Sequence, residues 1–224
     1  MYGVLKNSII ALCLLVALWP AVGHAADKKV LLVFGDSLVA GYGLKQTEAL
    51  PEQLEARLIK EGLPVKVYNS GVSGDTTTSA LNRLEYALRI KPDYVLIVLG
   101  GNDMMRGIDP AITRENLRRM MEKLKDRRIP VMLAGMNAFG IDSNQTAIAY
   151  SNMYKNLAKQ YDAVLYPFIL KDVAMKPELN QQDGIHPTAE GVKIIVNNLL
   201  PSVAELLVRE PGEKETSPEP EEEQ

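Results

Sequence analysis

The feature that most constrains the fold is a series of five short apolar segments spaced along the chain. Their apolar residues are mostly continuous rather than alternating, and they lie at residues 30–34, 65–68, 94–99, 131–134 and 163–166. Strands that are buried on both faces have this pattern, and such strands form parallel sheets covered by helices. The segments therefore predict a five-stranded parallel sheet.

Helical patterns fill the intervals between these segments. Leucines at positions 54 and 58 share one helix face, as do residues 117, 120, 121 and 124. The longest pattern begins near Thr188 and runs to about Arg209, before Pro211. Its apolar stripe consists of Ile195, Leu199, Val203 and Leu206. Strands that alternate with helices form βαβ units, so the sequence predicts one α/β domain, a three-layer sandwich.

The first 25 residues have the pattern of an export signal. Lys6 precedes an uncharged apolar run at residues 9–19, and small residues end the segment at Ala25. The run is shorter than the roughly 20 residues that span a bilayer. We predict cleavage after Ala25, a periplasmic location and no stable membrane anchor in the mature protein; an uncleaved anchor is the alternative. The only cysteine, Cys13, would leave with the signal, which suits an oxidising compartment.

Charge divides the remaining chain into two parts. Residues 210–224 contain seven Glu and one Lys among several Pro, a composition typical of a disordered tail. Residues 26–209 contain 23 Lys and Arg against 21 Asp and Glu. A nearly neutral domain lacks the basic surface that nucleic-acid binding requires, so no nucleic-acid partner is expected.

Four loops at predicted strand ends or before the last helix contain polar residues and glycines. They read Gly-Asp-Ser-Leu at 35–38, Gly-Val-Ser-Gly-Asp at 71–75, Gly-Gly-Asn-Asp at 100–103 and Asp-Gly-Ile-His-Pro at 183–187. In an open parallel sheet, ligands bind beyond the carboxyl ends of the strands. These loops are therefore where a reaction site is expected.

His186 is the only histidine left once the predicted signal, with His24, is removed. Histidine is the most frequent catalytic base near neutral pH. Asp183 lies three residues earlier, close enough on one turn to accept from Nδ1 and leave Nε2 free. The alternative is structural: Asp183 caps the turn and Pro187 starts the helix.

Ser37 is the candidate nucleophile, and Gly74 and Asn102 are candidate donors to an oxyanion. Gly74 lacks a Cβ and can bring its backbone N–H close to a substrate, and Asn102 can offer a side-chain N–H. Each residue also has an ordinary interpretation, as a helix cap or a turn residue.

Taken together, these loops resemble the SGNH or GDSL hydrolase superfamily. Residues 33–43 resemble its first block, Gly74 the second, residues 100–103 the third and residues 183–186 the last. The closer similarity, in residues 69–77 and 99–103, is to the periplasmic thioesterase, arylesterase and lysophospholipase type. The resemblance implies a flavodoxin-like sheet. It also implies a triad of Ser37, Asp183 and His186, an oxyanion hole that includes the Ser37 N–H, and no metal or other cofactor.

A set of apolar residues is predicted to lie near the crevice and to suit an acyl chain or an aryl group. The set is Met104, Met105, Ile108, Met136, Phe139 and Ile141. Ordinary packing is the alternative. The segment at residues 135–140 departs from relatives in which an Arg-, Pro- and Tyr-bearing segment lines the acyl site.

The sequence therefore predicts a serine ester hydrolase that cleaves small-molecule acyl or aryl esters through an acyl-enzyme. Two alternatives remain: a carbohydrate O-deacetylase of the same fold, and a secreted binding module with a vestigial site. A classical α/β-hydrolase is disfavoured because the sequence has no Gly-x-Ser-x-Gly elbow.

Overall fold

The computed structural model describes residues 28–136 and 145–212. The predicted signal at residues 1–25 and the tail beyond residue 212 lie outside the described residues. Gly212 itself donates its N–H to the carbonyl of Arg128 over 2.9 Å. The described chain thus keeps contact with the domain three residues past the predicted boundary at Arg209.

The strands of the described chain form one sheet in the order β2-β1-β3-β4-β5, and every neighbouring pair is parallel. The strands are β1 (Lys29–Gly35), β2 (Val65–Gly71), β3 (Tyr94–Val98), β4 (Val131–Ala134) and β5 (Val164–Tyr166). This order is that of flavodoxin-like folds. The predicted fold class is confirmed.

Burial follows position in the sheet. Residues 31–34 of central strand β1 are at most 1 % exposed, and all of central strand β3 is buried. Edge strand β2 instead alternates, with Val65 and Val67 buried and Lys66 and Tyr68 exposed. Helix cover on a single face of the edge strand explains why only alternate residues are buried there.

Seven α-helices connect and cover the strands of the described chain. They are α1 (Ser37–Ala40), α2 (Leu50–Lys60), α3 (Thr77–Ala87), α4 (Gly101–Met105), α5 (Pro110–Asp126), α6 (Gln145–Gln160) and α7 (Ala189–Leu207). Helix α2 packs against α7 on one side of the sheet, while α3, α5 and α6 are successive neighbours on the other. The predicted three layers are therefore present.

No helix among the described residues is long and apolar enough to cross a membrane.

Helix α7 agrees closely with its prediction. The side chain of Thr188 accepts a hydrogen bond from the N–H of Gly191 and caps the helix. The predicted stripe is buried, with Leu199, Val203 and Leu206 fully inaccessible. The helix ends at Leu207, two residues before the predicted end.

The sheet order places the four polar loops at one edge. The chain leaves β1 toward β2 on one side and returns to β3 on the other, so the carboxyl ends of β1 and β3 lie side by side. This topological switch point is where ligands bind in open α/β sheets.

Candidate active site

Ser37 is the first residue of α1, directly after β1. Asp36 caps this short helix, because its Oδ1 accepts the N–H of Leu38 over 3.0 Å. As the first helical residue, Ser37 has no intrahelical acceptor for its own N–H. The turn thus presents a hydroxyl and a backbone donor at the edge of the sheet.

His186 contacts both of its predicted partners. Its Nε2 lies 2.8 Å from Ser37 Oγ, and its Nδ1 lies 2.6 Å from Asp183 Oδ2. Because a carboxylate only accepts, the neutral imidazole carries its proton on Nδ1. Nε2 is then free to accept from the serine hydroxyl. The structure therefore joins Ser37, His186 and Asp183 in one hydrogen-bonded chain.

The Asp183 carboxylate contacts both the turn and the imidazole, as the structural and the catalytic interpretations each require. Its Oδ1 accepts the backbone N–H groups of Ile185 at 2.9 Å and His186 at 3.0 Å, while Oδ2 holds the imidazole. The His186 backbone N–H, followed by the bond to the imidazole and the Ile185 N–H, lowers the pKa of Asp183 to about 2. The carboxylate therefore stays ionised across the neutral range.

Asn102 contacts the residue before Ser37 and the residue after Gly74. The Asn102 Nδ2 donates to the carbonyl of Asp75 over 2.9 Å, and it lies 3.4 Å from Asp36 Oδ2. Gly74 has φ +85°, a conformation that side chains rarely adopt. The longer Asn102 contact is the weaker one, so an oxyanion can replace it.

Asp36 is 2 % exposed, and its pKa is raised to about 6. Burial is the main cause; the Leu38 N–H and the charge of His186 oppose it, whereas the nearby carboxylates of Asp75 and Asp103 add to it. The carboxylates of Asp75 and Asp103 each accept stronger or more numerous hydrogen bonds than the carboxyl of Asp36 does. Asp36 is thus the least satisfied carboxyl under the site.

The guanidinium of Arg83 forms an ion pair with the Asp75 carboxylate and connects three elements of the fold. Its guanidinium donates to Asp75 Oδ2 at 2.6 Å, to Ser70 Oγ at 3.0 Å and to the carbonyl of Gly35 at 2.8 Å. It also packs 4.2 Å from the ring centre of Phe34. One side chain of α3 therefore fixes the ends of β1 and β2.

Asp103 is fully buried and accepts only neutral donors: the N–H and hydroxyl of Thr77 and the hydroxyl of Thr113. Asn116 extends this network by donating to Thr77 Oγ1 at 3.1 Å, and Tyr150 by its contact with Thr113 at 3.2 Å. The network holds α4, which carries Asn102, against α3 and α5.

The predicted substrate wall divides into three groups. Met136 is 4 % exposed within the core, and Met104 packs against that core. A Cβ on Gly101 would lie 3.7 Å from Met136 Sδ and 3.8 Å from Asp36 Oδ2, so Met136 borders the site from below. Ile108 is half-buried and Met105 is 56 % exposed. Phe139 and Ile141 lie outside the described residues. A substrate contact by any of these stays a prediction.

Sequence reasoning missed Tyr42 and Gln181. The ring of Tyr42 stacks on His186, and the side chain of Gln181 donates to the carbonyl of Tyr42. The two residues are 139 positions apart, so no local motif could have paired them.

Among the described residues, no group of three or more His, Cys, Asp or Glu is arranged to hold a metal ion.

Several known proteins resemble this chain in sequence and in fold. The GDSL-like Lipase/Acylhydrolase family matches residues 33–194. The chain is 34 % identical over 175 residues to the thioesterase 1/protease 1/lysophospholipase L1 of Escherichia coli strain K12, covering 78 % of this chain and 83 % of that protein. It is 37 % identical over 171 residues to an arylesterase of Vibrio mimicus, covering 76 % and 84 %. The crystal structure of TesA superimposes with a TM-score of 0.76 at 35 % identity, covering 80 % of this chain and 99 % of that one.

The burial of Asp36 predicts how stability depends on pH. Because its pKa rises from 3.8 to about 6 on folding, its contribution to stability is fully present below pH 4. That contribution is lost as the pH rises through 6. Asp36→Asn avoids this loss and can still cap α1. Its free energy of unfolding should therefore increase relative to wild type between pH 4 and 7.5, by up to about 3 kcal/mol.

Urea unfolding at several pH values measures this difference, with Asp126→Asn at the exposed end of α5 as the control for losing one negative charge. A difference for Asp36→Asn that does not change with pH would contradict the burial argument.

Proposed function

Because this chain belongs to the GDSL-like lipase/acylhydrolase family and is a serine ester hydrolase, we propose that Ser37 is its nucleophile, His186 its general base and Asp183 the residue that orients the base. The observation that carries this proposal is the continuous chain of short hydrogen bonds. It runs from Ser37 Oγ to His186 Nε2 at 2.8 Å, and from His186 Nδ1 to Asp183 at 2.6 Å.

In the first step, Ser37 Oγ attacks the carbonyl carbon of the ester. His186 Nε2 takes the hydroxyl proton as the new C–O bond forms. The ring becomes an imidazolium, which the ionised Asp183 stabilises through Nδ1. Asp183 is suited to this role because its low pKa keeps it charged throughout the cycle.

The carbonyl oxygen becomes negatively charged in the tetrahedral intermediate. We assign three donors to it: the backbone N–H groups of Ser37 and Gly74 and the side-chain amide of Asn102. Asn102 is held by its 2.9 Å bond to the carbonyl of Asp75, which leaves its second N–H for the oxyanion. Donors fixed in advance stabilise the transition state without reorganising during the reaction.

Collapse of the intermediate breaks the bond to the leaving group. The imidazolium gives its proton to the departing oxygen or sulfur, and the acyl group remains on Ser37. Water then attacks the acyl-enzyme with His186 again as base, which releases the acid and restores the free serine. Each half of the cycle uses the same donors and the same base.

The substrates are small-molecule esters, and we propose acyl or aryl esters within that class. Large apolar side chains around the site are exposed: Val72, Met105 and Ile185 are each between 44 and 56 % accessible. Such side chains suit an apolar acyl or aryl group better than a sugar. A carbohydrate O-deacetylase, the alternative, would use the same steps with a polar alcohol. A vestigial binding module would have no need of the Asp183 to His186 to Ser37 chain.

Ser37→Ala should abolish esterase activity while leaving the fold intact, because it removes one half-exposed hydroxyl. We expect kcat to fall by about 10⁴- to 10⁶-fold for every p-nitrophenyl ester from acetate to long acyl chains. The wild-type series itself distinguishes the substrate classes: rates that rise with chain length indicate an acyl site, and activity on acetate alone indicates a deacetylase.

Ser73→Ala, in the neighbouring exposed loop, is the matched control and should retain full activity. An organophosphonate should label Ser37 in wild type. Labelling of another residue, or substantial turnover by Ser37→Ala, would refute the assignment.

Asn102→Ala should lower kcat about 100- to 1,000-fold, or roughly 3 to 4 kcal/mol, with a smaller effect on KM. Asn116→Ala is the control, because it removes another buried amide that bonds only within the structural network. It should lower Tm and leave kcat per titrated active site unchanged. If Asn102→Ala behaves in the same way, Asn102 is structural and not an oxyanion donor.

We also propose that the protein is exported and that residues 26–209 form its hydrolase domain, with residues 210–224 as a dispensable tail. The mature N-terminus should then be Ala26, and activity should appear in the periplasm without a requirement for reductant. N-terminal sequencing of the fractionated protein tests this. A chain that starts at Met1 in the active fraction would refute the signal. Truncation after Arg209, which removes the hydrogen bond from Gly212 to Arg128, should leave Tm and kcat nearly unchanged.

A further inference from the structure

The loops that carry Ser37 and His186 are joined by one glutamine side chain. The Nε2 of Gln181 donates to the carbonyl of Tyr42 at 2.8 Å and to the carbonyl of Pro187 at 2.9 Å. Both hydrogens of a single amide are therefore used, one on each loop. Through its backbone, Gln181 also donates to the carbonyl of His186 at 2.7 Å. Gln181 thus connects the stretch after the nucleophile to the backbone of the base itself and of the residue that follows it.

Tyr42 contacts both loops as well. Its backbone N–H donates to the carbonyl of Ser37 at 3.2 Å, and its ring centre lies 4.5 Å from that of His186 at an interplanar angle of 37°. The ring is 53 % exposed, so burial in the core does not account for its position. A Cβ on the adjacent Gly43 would overlap Gln181 Oε1, so the glycine is what lets the amide approach.

We propose that Tyr42 and Gln181 form a clamp that positions His186 against Ser37, a role that rests on the proposed function of these two residues. Gln181 fixes the distance between the loops, and Tyr42 supports one side of the imidazole. When His186 takes the serine proton, its positive charge develops within the roughly 6 Å at which an aromatic ring attracts a cation. Tyr42 therefore favours the protonated ring that forms during the reaction, and it does so as a positioning residue.

The charged groups that face the imidazole are not part of the clamp. They are Asp183, in its own loop, and Asp36, whose charge interacts with His186 from the residue before the nucleophile. Neither is altered by changes at Tyr42 or Gln181. A change in the basicity of the imidazole can then be assigned to the clamp.

The test at Tyr42 compares Leu and Phe substitutions. Tyr42→Leu should lower kcat about 3- to 10-fold with KM unchanged, and should shift the acid limb of the kcat/KM profile to lower pH, because the imidazolium loses its aromatic neighbour. Tyr42→Phe keeps the ring and should restore both values. Tyr86→Leu is the matched control: Tyr86 is also exposed and also lies beside a cation, Arg89 at 5.8 Å, but on α3.

The test at Gln181 is Gln181→Met, which keeps the length of the side chain and removes both donors. We expect kcat to fall about 10- to 100-fold, since small displacements of a catalytic group have effects of this size, and phosphonylation of Ser37 should slow in proportion. Gln53→Met is the control, because Gln53, on α2, makes a similar bond to the carbonyl of Thr47.

Three results would overturn the proposal. Unchanged kcat and pH profiles in Tyr42→Leu and Gln181→Met, with Ser37→Ala inactive, would refute the clamp and leave the mechanism intact. A loss in KM alone would make Tyr42 a substrate contact. Equal defects in Tyr42→Phe and Tyr42→Leu would assign the effect to the hydroxyl. Activity in Ser37→Ala, by contrast, would refute the proposed function itself.

Discussion

The arrangement of the site depends on the burial of β1 and β3 side by side at the centre of a parallel sheet. Their apolar side chains are covered on both faces, and their parallel pairing from Leu31 opposite Tyr94 to Gly35 opposite Val98 sets the positions of their carboxyl ends. Ser37 follows one strand and Asn102 lies shortly after the other. The hydrophobic burial that stabilises the fold is thus also what brings the proposed nucleophile and the proposed amide donor to the same edge. The functional groups lie on short loops attached to a rigid scaffold.

Buried carboxylates then hold these loops in place. Asp75 is paired with Arg83, Asp103 receives three neutral donors, and Asp36 caps α1 with less compensation than either. An unpaired carboxylate is expensive to bury, so each of these interactions constrains the loop that carries it. The chain keeps Asp36 nearly inaccessible at the cost of a raised pKa. This placement puts its carboxyl beside both the turn that carries Ser37 and the amide of Asn102.

In the loop with Asp183 and His186, one carboxyl group contacts both the backbone of the turn and the imidazole. One oxygen closes the turn and the other accepts from the imidazole, so the geometry of the turn sets the direction of the His186 ring. The position of that loop relative to Ser37 is a separate matter, because the two are 149 residues apart. Gln181 and Tyr42 supply contacts that bridge this separation. Local sequence therefore defines each half of the site, and long-range contacts align the halves.

The sequence alone determined the elements and the chemistry of the loops. Continuous apolar runs marked the strands, a capped apolar stripe marked α7, and the Gly-Asp-Ser, Gly-Gly-Asn-Asp and Asp-Gly-Ile-His segments marked the candidate site, because these signals are carried by neighbouring residues. Only the tertiary structure decided which buried carboxylates are well supplied with hydrogen-bond donors and which are not. The raised pKa of Asp36, the triple role of Arg83 and the pairing of Gln181 with Tyr42 depend on burial and on contacts between distant segments. Such contacts leave no periodicity or spacing in the sequence, since they arise only when the sheet brings its strand ends together.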